Sequence, residues 1–277
     1  MARKKIREYH GKRMLMRHFA QFSKLDKKDH ADIKCELLDE NTNYRTLAKN
    51  TPWLNEVKLV AKPDMMFGQR GKHDLVLLNA TFPEVEKFVT DRMNKVIEVN
   101  GVSAPLTHFL VEPFVPHKEE YYISISVERD YTKILFSPFG GIHVEENWDK
   151  MVEVKVPTGD SIDEVHKKDF FRKLLRFSAS ISLLFLFFSS NDSLFFVLRD
   201  IFQTDLSAFE DNLSEAAKPH ANTITEFVRS LFRIFEYLDF TLLEINPFVL
   251  SDSNQPVPLD LVAEVDDTAL FKNEVHN

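Results

Sequence analysis

The sequence predicts a mixed α+β fold, and two kinds of pattern support that prediction. Several short runs of apolar residues, some alternating with polar ones, are typical of strands joined by turns. Longer segments carry apolar residues at the spacing of one helical face, so helices are expected on the faces of antiparallel sheets. The 277 residues suffice to bury a core without disulfides, and Cys35, the single cysteine, cannot form an internal one. We therefore expect a reducing compartment and a cytosolic protein.

The charge balance argues against nucleic acid as a main partner. The net charge is −8, whereas nucleic-acid-binding domains are usually basic. The start of the chain is locally basic, but it has neither the apolar centre of a signal peptide nor the composition of a transit peptide. We predict that it forms an amphipathic first helix with Ile6, Leu15 and Phe19 facing inward.

A β-hairpin with a basic loop at its tip is predicted from two strand-like runs, 57–62 and 74–79. Lys62 ends the first strand, and Arg70 and Gly71 lie in the loop. Glycine lets backbone N–H groups approach phosphate oxygens, and the two cations could neutralise a phosphate from two sides. The loop lacks the G-x-x-x-x-G-K-[ST] pattern of a P-loop, and a solvated hairpin tip is the alternative interpretation.

A proline-stiffened bend follows a predicted buried strand at 109–111. Pro113 can offer only its carbonyl group, because proline lacks a backbone N–H, whereas Val115 can offer its N–H. Such groups could bind a purine edge, and the Glu120 side chain could accept hydrogen bonds from ribose hydroxyls. A plain bend between sheets is the alternative.

A metal site is predicted near the end of the chain, where 242–250 and 257–262 are expected to be strands joined by a turn. Alternation places Glu244 and Asn246 on one face, and Asp260 can lie opposite them. Oxygen ligands from Asn and Asp, completed by phosphates and water, suit Mg²⁺. An acidic strand pair with a purely structural role is the alternative. The remaining predicted elements are strands at 121–127, 133–137 and 142–144 and helices at 83–99 and 225–238.

Residues 170–206 form a stretch rich in Phe, Leu and Ser that does not fit this pattern. Its clean apolar run is about a dozen residues, short of the about 20 that a membrane span requires, so membrane insertion is disfavoured. We expect an atypical insertion. A buried helical hairpin and non-coding sequence carried into a gene model are alternatives that the sequence leaves open.

Several segments, taken in order, resemble the A subunit of ATP-citrate lyase. They are KLVAKPDMMFGQRGK, FLVEPFVPHKEEYYISI, GGIHVEENWDK and DFTLLEINPFVL, followed by PLDLVAEVDDTALFKN. The wider relatives are the β subunits of succinate–CoA ligases. The resemblance implies an ATP-grasp fold, in which two α+β subdomains hold the nucleotide between them. The implied ATP-grasp domain spans 1–169 and 207–273, interrupted by the insertion at 170–206.

The same resemblance implies roles for individual residues. Each serves one part of Mg·ATP: Lys62, Arg70 and Gly71 the phosphates, Pro113 and Val115 the adenine, Glu120 the ribose, and Asn246 and Asp260 the metal. No catalytic residue is expected within the chain itself.

The implied reaction is the ATP-driven cleavage of citrate with CoA to acetyl-CoA and oxaloacetate, through a phosphohistidine and citryl phosphate. No segment here resembles the one that carries this histidine, so a B-type ATP-citrate lyase subunit is expected as partner. In the family a citrate-binding domain would follow, and we therefore expect a truncated chain. A succinate–CoA ligase β-like subunit and a non-catalytic ATP-grasp remnant are the alternatives.

Overall fold

The computed structural model describes residues 3–25, 27, 33–66, 70, 74–99, 101–163 and 220–269. Its helices are α1 (Glu8–Phe22), α2 (Tyr44–Asn50), α3 (Trp53–Glu56), α4 (Phe82–Thr90) and α5 (Ala221–Tyr237). Its strands are β1 (Arg3–Ile6), β2 (Glu36–Leu38), β3 (Leu59–Pro63), β4 (Leu77–Ala80), β5 (Val96–Val99), β6 (Val102–Pro105), β7 (Phe109–Pro113), β8 (Tyr121–Val127), β9 (Tyr131–Ser137), β10 (Val152–Pro157), β11 (Phe240–Leu250), β12 (Pro256–Pro258) and β13 (Leu261–Asp266). The predicted α+β class is confirmed.

The larger sheet has seven strands in the order β1-β13-β11-β8-β9-β10, with β12 paired to β11, and every pair is antiparallel. Helices α1 and α5 contact each other and pack on this sheet. Leu15 and Phe19 of α1 and Phe227 and Leu231 of α5 are buried with the apolar side chains of the sheet in one core. The helix predicted at 225–238 is confirmed as α5, which begins four residues earlier, at Ala221.

The smaller sheet has the order β2-β7-β3-β4, and a separate hairpin pairs β5 with β6. Helix α4 packs on β3 and β4, and Val85 of α4 shares a second core with Leu59 and Phe109. Thr81 begins α4 with a capping box, in which the Glu84 carboxylate accepts the Thr81 backbone N–H at 2.7 Å. The predicted hairpin of the basic loop is confirmed, because β3 and β4 pair antiparallel.

Two helix predictions were too long. The first residues do not begin a helix, because Arg3–Ile6 is a strand paired with β13 and α1 begins at Glu8; Ile6 therefore lies in a strand, partly buried against the larger core. The helix predicted at 83–99 ends at Thr90, and a turn with Asn94 at φ +61° leads into β5. The apolar residue at 96 fits the helical period but belongs to a strand.

Two strand predictions were also wrong. Residues 142–144 do not form a strand, because Gly141–His143 is a 3₁₀ helix. The strand predicted at 257–262 is broken between Pro258 and Leu261, where the backbone N–H of Leu259 donates to the Pro247 carbonyl at 2.9 Å. This break leaves the Leu259 carbonyl free to accept hydrogen bonds from side chains.

Some predictions fall outside the described residues, namely the atypical stretch at 170–206 and the loop position Gly71. Within the described part of the chain, no helix combines the length and the apolar character needed to cross a membrane. Cys35 is a free, half-buried thiol whose pKa is raised to about 12, first by burial and then by the negative charge of Glu112. That environment suits a structural thiol rather than a reactive one.

Candidate functional site

A cluster of buried charges lies where the two sheets meet. It joins the first turns of α1, the strands β3 and β7 of the smaller sheet and the break before β13 of the larger sheet. Its members are three cations and three anions: Lys12, Lys62 and Arg70 with Glu8, Glu112 and Asp260. We call these six residues the ion cluster. Its formal charges cancel.

Lys62, the predicted phosphate ligand at the end of β3, is fully engaged within this cluster. Its Nζ donates to Glu8 Oε1 at 2.7 Å and to the Leu259 carbonyl at 2.5 Å, and it lies 3.0 Å from Glu112 Oε2. An ammonium group has three N–H bonds, so each has an acceptor. The side chain is only 7% exposed.

Arg70 sits on the other side of Glu8, and its guanidinium is also buried. Its Nη2 lies 2.7 Å from Glu8 Oε2 and 2.5 Å from Asp260 Oδ1, while its Nη1 donates to the Pro63 carbonyl at 2.9 Å. Burial alone would lower the pKa of Arg70, but Glu8 and Asp260 outweigh it and raise that pKa. The structure thus brings Lys62 and Arg70 onto one carboxylate, that of Glu8, and it also places Asp260, which the sequence grouped with Asn246, against Arg70.

Glu8 and Lys12 were missed by sequence reasoning, although they occupy the centre of the cluster. They lie one helical turn apart on α1, with Lys12 Nζ 2.8 Å from Glu8 Oε1. Lys12 also donates to Glu112 and, at 3.1 Å, to the Leu259 carbonyl. Burial would raise the pKa of Glu8, but Lys12, Lys62 and Arg70 outweigh it and hold that pKa well below its usual value. The only sequence signal was the i, i+4 spacing of opposite charges.

Close packing of α1 on the larger sheet places these two side chains. A Cβ atom at Gly11 would lie 2.5 Å from Leu261 Cδ2, so a larger residue would force either the Leu261 side chain or the helix to shift. Glycine at this position therefore lets α1 approach the break before β13, and Lys12 reaches the Leu259 carbonyl there.

Asp64, two residues after Lys62, is a buried carboxyl group outside the ion cluster. Its Oδ2 accepts the Tyr9 backbone N–H at 3.4 Å, and its Oδ1 has no hydrogen-bond partner among the residues that the structure describes. Burial and the nearby charge of Glu8 raise the pKa of Asp64 to about 6. Asp64 is therefore, after Glu8, a second buried acidic residue near the predicted phosphate ligands that the sequence patterns did not indicate.

The predicted purine-binding bend, which we call the hinge (113–120), lies at the end of β7. It is anchored by the Phe114 backbone N–H, which donates to the Lys58 carbonyl at 2.7 Å. His117 Nδ1 lies 2.8 Å from the Val115 carbonyl and its Nε2 lies 3.1 Å from Glu120 Oε1. Both ring nitrogens face acceptors, so the ring makes both bonds at once only when it is protonated.

Gly141 allows the Glu120 side chain to lie where it does. The residue has φ +68°, and a Cβ atom there would overlap Glu120 Oε2. The preceding Gly140 donates its backbone N–H to the Glu120 carbonyl at 2.7 Å. The two glycines therefore fix the far end of the hinge, and the Glu120 side chain is 37% exposed.

The predicted metal ligands lie opposite each other, as expected. The Asn246 backbone N–H donates to the Asp260 carbonyl at 3.0 Å, and Asn246 Oδ1 accepts the Gly141 N–H at 2.6 Å. Burial, and after it the charge of Asp260, raises the pKa of Glu244. An amide oxygen has a second lone pair, and the Asp260 side chain is 43% exposed. These oxygen donors fit Mg²⁺.

The family follows from the comparison with known proteins. Residues 2–201 match the model of the ATP-citrate synthase ATP-grasp domain. This chain belongs to that family. Over 273 residues it is 38% identical to ATP-citrate synthase alpha chain protein 2 of Arabidopsis thaliana, and over 271 residues it is 29% identical to human ATP-citrate synthase. These alignments cover 99% and 97% of the chain but 53% and 20% of the two relatives.

Solved structures agree with this family membership and with the ATP-grasp fold. An ATP citrate lyase of Methanosaeta concilii, solved with (3S)-citryl-CoA, matches with a TM-score of 0.71 at 26% identity, covering 99% of this chain and 52% of that one. An ATP citrate lyase of Methanothrix soehngenii, solved with citrate and coenzyme A, matches with a TM-score of 0.71 at 28% identity, covering 100% of this chain and 55% of that one. The chain thus spans about half the length of the Arabidopsis thaliana alpha chain and of these two solved lyases, and about a fifth of the human protein.

Proposed function

We propose that this chain binds Mg·ATP as the ATP-grasp part of an ATP-citrate lyase. The whole enzyme would cleave citrate with CoA to acetyl-CoA and oxaloacetate, using ATP. Membership of the ATP-citrate synthase ATP-grasp family supports the reaction class. The observation that carries the nucleotide role is the pair of buried cations, Lys62 and Arg70, held between the two sheets beside Asp260.

Positioning and charge neutralisation are what this site would supply to phosphoryl transfer. Lys62, Arg70 and the backbone of Gly71 would bind the phosphates. Asn246 and Asp260 would hold Mg²⁺, which when bound neutralises part of the phosphate charge. Arg70 already contacts Asp260 at 2.5 Å, so the phosphate and metal sides of the proposed site are adjacent.

The adenosine would lie along the hinge. The Pro113 carbonyl and the Val115 N–H would bind the adenine edge, and the Glu120 carboxylate would accept hydrogen bonds from the ribose hydroxyls. The bend is anchored at Phe114 to the Lys58 carbonyl just before β3, and at Glu120 to the Gly140 N–H. These contacts support the assignment, because they hold the backbone at both ends of the hinge.

Isothermal titration with Mg·ATP tests the phosphate role. Wild type should bind saturably, and Lys62→Ala should bind at least about tenfold more weakly, the factor that 1.4 kcal/mol represents. Lys58→Ala is the matched control, because this exposed lysine lies just before the same strand. Circular dichroism should show that all three proteins are folded. Unchanged affinity in a folded Lys62→Ala sample would show that the phosphate assignment is wrong.

Completion of the reaction is proposed to require a B-type partner subunit that supplies the phosphohistidine. Adding such a subunit, CoA and citrate should produce citrate-dependent ADP formation. Dependence on succinate instead would favour a succinate–CoA ligase β-like role. The domain division at 1–169 and 207–273, with an insertion at 170–206, and a cytosolic location are parts of the same proposal.

A non-catalytic ATP-grasp protein is the competing function, and one observation favours it. Every N–H of Lys62 already has an acceptor within the protein, so the residue has no donor left over for a phosphate. Saturable Mg·ATP binding without citrate-dependent turnover in the reconstituted sample would support this alternative.

A further inference from the structure

Glu8 already holds the two cations that the proposed function assigns to phosphate. Its Oε1 lies 2.7 Å from Lys62 Nζ, and its Oε2 lies 2.7 Å from Arg70 Nη2. A phosphate group would offer these cations the same arrangement, namely two negatively charged oxygens that each accept a charge-assisted hydrogen bond. The Glu8 side chain is 3% exposed, so these contacts are sheltered from water.

Lys62 can contact a phosphate only if it releases one of its three acceptors. The Leu259 carbonyl belongs to the backbone, where the Leu259 N–H is itself tied to Pro247. Glu112 lies on β7, the strand that pairs with β3, so it and Lys62 both belong to the central strand pair of the smaller sheet. Glu8 projects from another element, α1, and is the acceptor that Lys62 shares with Arg70. Release of Glu8 alone frees one donor on each cation.

Lys12 gives Glu8 a partner of its own after such a release. The two residues are four positions apart on α1, and Lys12 Nζ lies 2.8 Å from Glu8 Oε1. An uncompensated buried charge is strongly destabilising, whereas the Glu8–Lys12 pair is neutral. The exchange of Glu8 for phosphate at Lys62 and Arg70 therefore leaves every charge paired.

We propose that Glu8 is a placeholder for phosphate, and this proposal rests on the function proposed above. When no nucleotide is bound, the Glu8 carboxylate contacts Lys62 and Arg70 in place of a phosphate. When a polyphosphate binds, the carboxylate leaves both cations and pairs with Lys12 alone. The ATP affinity of the chain is then set by a competition between Glu8 and the nucleotide. Helix α1, which lies far from the basic loop in sequence, becomes part of the nucleotide site.

The decisive variant is Glu8→Gln, which keeps the side-chain length and an acceptor oxygen but removes the negative charge. Titration with Mg·ATP, and separately with inorganic tripolyphosphate, should show about tenfold tighter binding of both than in wild type. Tripolyphosphate isolates the phosphate contacts from those of the hinge. Glu8→Asp, one methylene shorter, should show a smaller gain in the same direction, because its carboxylate reaches only one of the two cations.

Two control variants separate competition from general effects. Asp64→Asn removes the same charge close to Glu8, at a residue that has no salt bridge to Lys62 or Arg70 in the described part of the chain. Glu226→Gln removes a buried acid paired with Arg233 at 2.8 Å in the larger core, and so reports the effect of lost stability. Both should bind Mg·ATP nearly as wild type does.

The possible outcomes are distinguishable. If wild type binds saturably and Glu8→Gln binds Mg·ATP equally or more weakly, the placeholder role of Glu8 is contradicted and the proposed function is not. An equal gain in Asp64→Asn would also overturn it, since the effect would then be one of net charge. Binding by neither wild type nor Glu8→Gln, both folded, would reject the nucleotide site itself and the placeholder with it.

Discussion

The ion cluster and the hinge, the two sides of the proposed nucleotide site, are built on different principles. The ion cluster consists of six charged side chains, most of them buried, and each depends on the others for its counter-charge. The hinge offers backbone groups fixed by hydrogen bonds to neighbouring segments, and its Glu120 side chain is partly exposed. Removal of one side chain should therefore disturb the other members of the ion cluster, whereas removal of one group from the hinge should affect only its own contacts.

The difference also separates stability from binding. A buried charge that loses its partner costs free energy of folding whether or not a ligand is present. A backbone donor in a bend costs little when it faces water, and its contribution appears only on binding. Variants on the two sides should therefore differ in which measurement they change first.

The largest effect is expected for Lys12→Met, on the free energy of unfolding. The Lys12 side chain is completely buried, and its loss would leave Glu8 and Glu112 with fewer counter-charges than they need. We expect a loss of about 3 to 5 kcal/mol in urea denaturation. Lys155→Met is the matched control, because that lysine pairs with Glu153 on the surface and should show no measurable change. A loss as small as that of the control would mean that the ion cluster is not coupled.

The next largest effect is expected for replacement of Asp64, which should raise the free energy of unfolding rather than lower it. Its pKa is raised by burial from the usual 3.8 to about 6, so the folded state retains a proton between these values that the unfolded state releases. Ionisation of Asp64 therefore lowers the free energy of unfolding as the pH rises from about 4 to about 6, and this loss is complete above about pH 6. The two pKa values differ by about 2 units, which corresponds to about 3 kcal/mol.

Asp64→Asn should accordingly be more stable than wild type at about pH 7, and the gap should close as the pH falls towards 4. Urea denaturation of both proteins across this range measures it. Glu8 acts in the other direction, because its lowered pKa gives stability that is lost when the medium becomes more acid than its usual value of 4.5. A stability difference that does not change with pH would contradict the assignment to Asp64.

A smaller effect, on binding rather than stability, is expected for Gly141→Ala. The new Cβ atom would overlap Glu120 Oε2 and displace that carboxylate from its place in the hinge. We expect about tenfold weaker Mg·ATP binding. Gly101→Ala is the matched control: it has φ +78°, so it carries a similar backbone strain, but a Cβ atom there meets nothing within 4 Å. Equal losses of affinity in both variants would indicate a general effect of strain.

The sequence could predict the local parts of this molecule better than the long-range ones. The hairpin of β3 and β4 and the pair β8 and β9 are neighbours in sequence, so turn signals and apolar runs located them. The helix predicted at 83–99 failed beyond Thr90, because Val96 satisfies both a helical and a strand period and only Asn94 at φ +61° separates them.

The candidate site shows the same limit. The cationic pair Lys62 and Arg70 could be predicted from one loop, and the structure does bring them together. Glu8, the carboxylate that both cations contact, could not be predicted, because it is 54 residues from Lys62 and 62 from Arg70 along the chain. Burial of all three side chains depends on the packing of α1 against the larger sheet, which no local sequence pattern indicates.

The smallest effect is expected for Glu120→Gln, which tests whether the hinge acts locally. The carboxylate is 37% exposed and its one described side-chain partner is His117 at 3.1 Å, so folding should not change. Loss of a charged acceptor for the ribose hydroxyls should weaken Mg·ATP binding by roughly fivefold to tenfold, the factor expected for one hydrogen bond of about 1 kcal/mol or slightly more. Tripolyphosphate binding should stay the same, because it uses only the ion cluster. If both ligands lost affinity together, the two sides would be coupled, and the distinction between a cooperative ion cluster and an independent hinge would have to be abandoned.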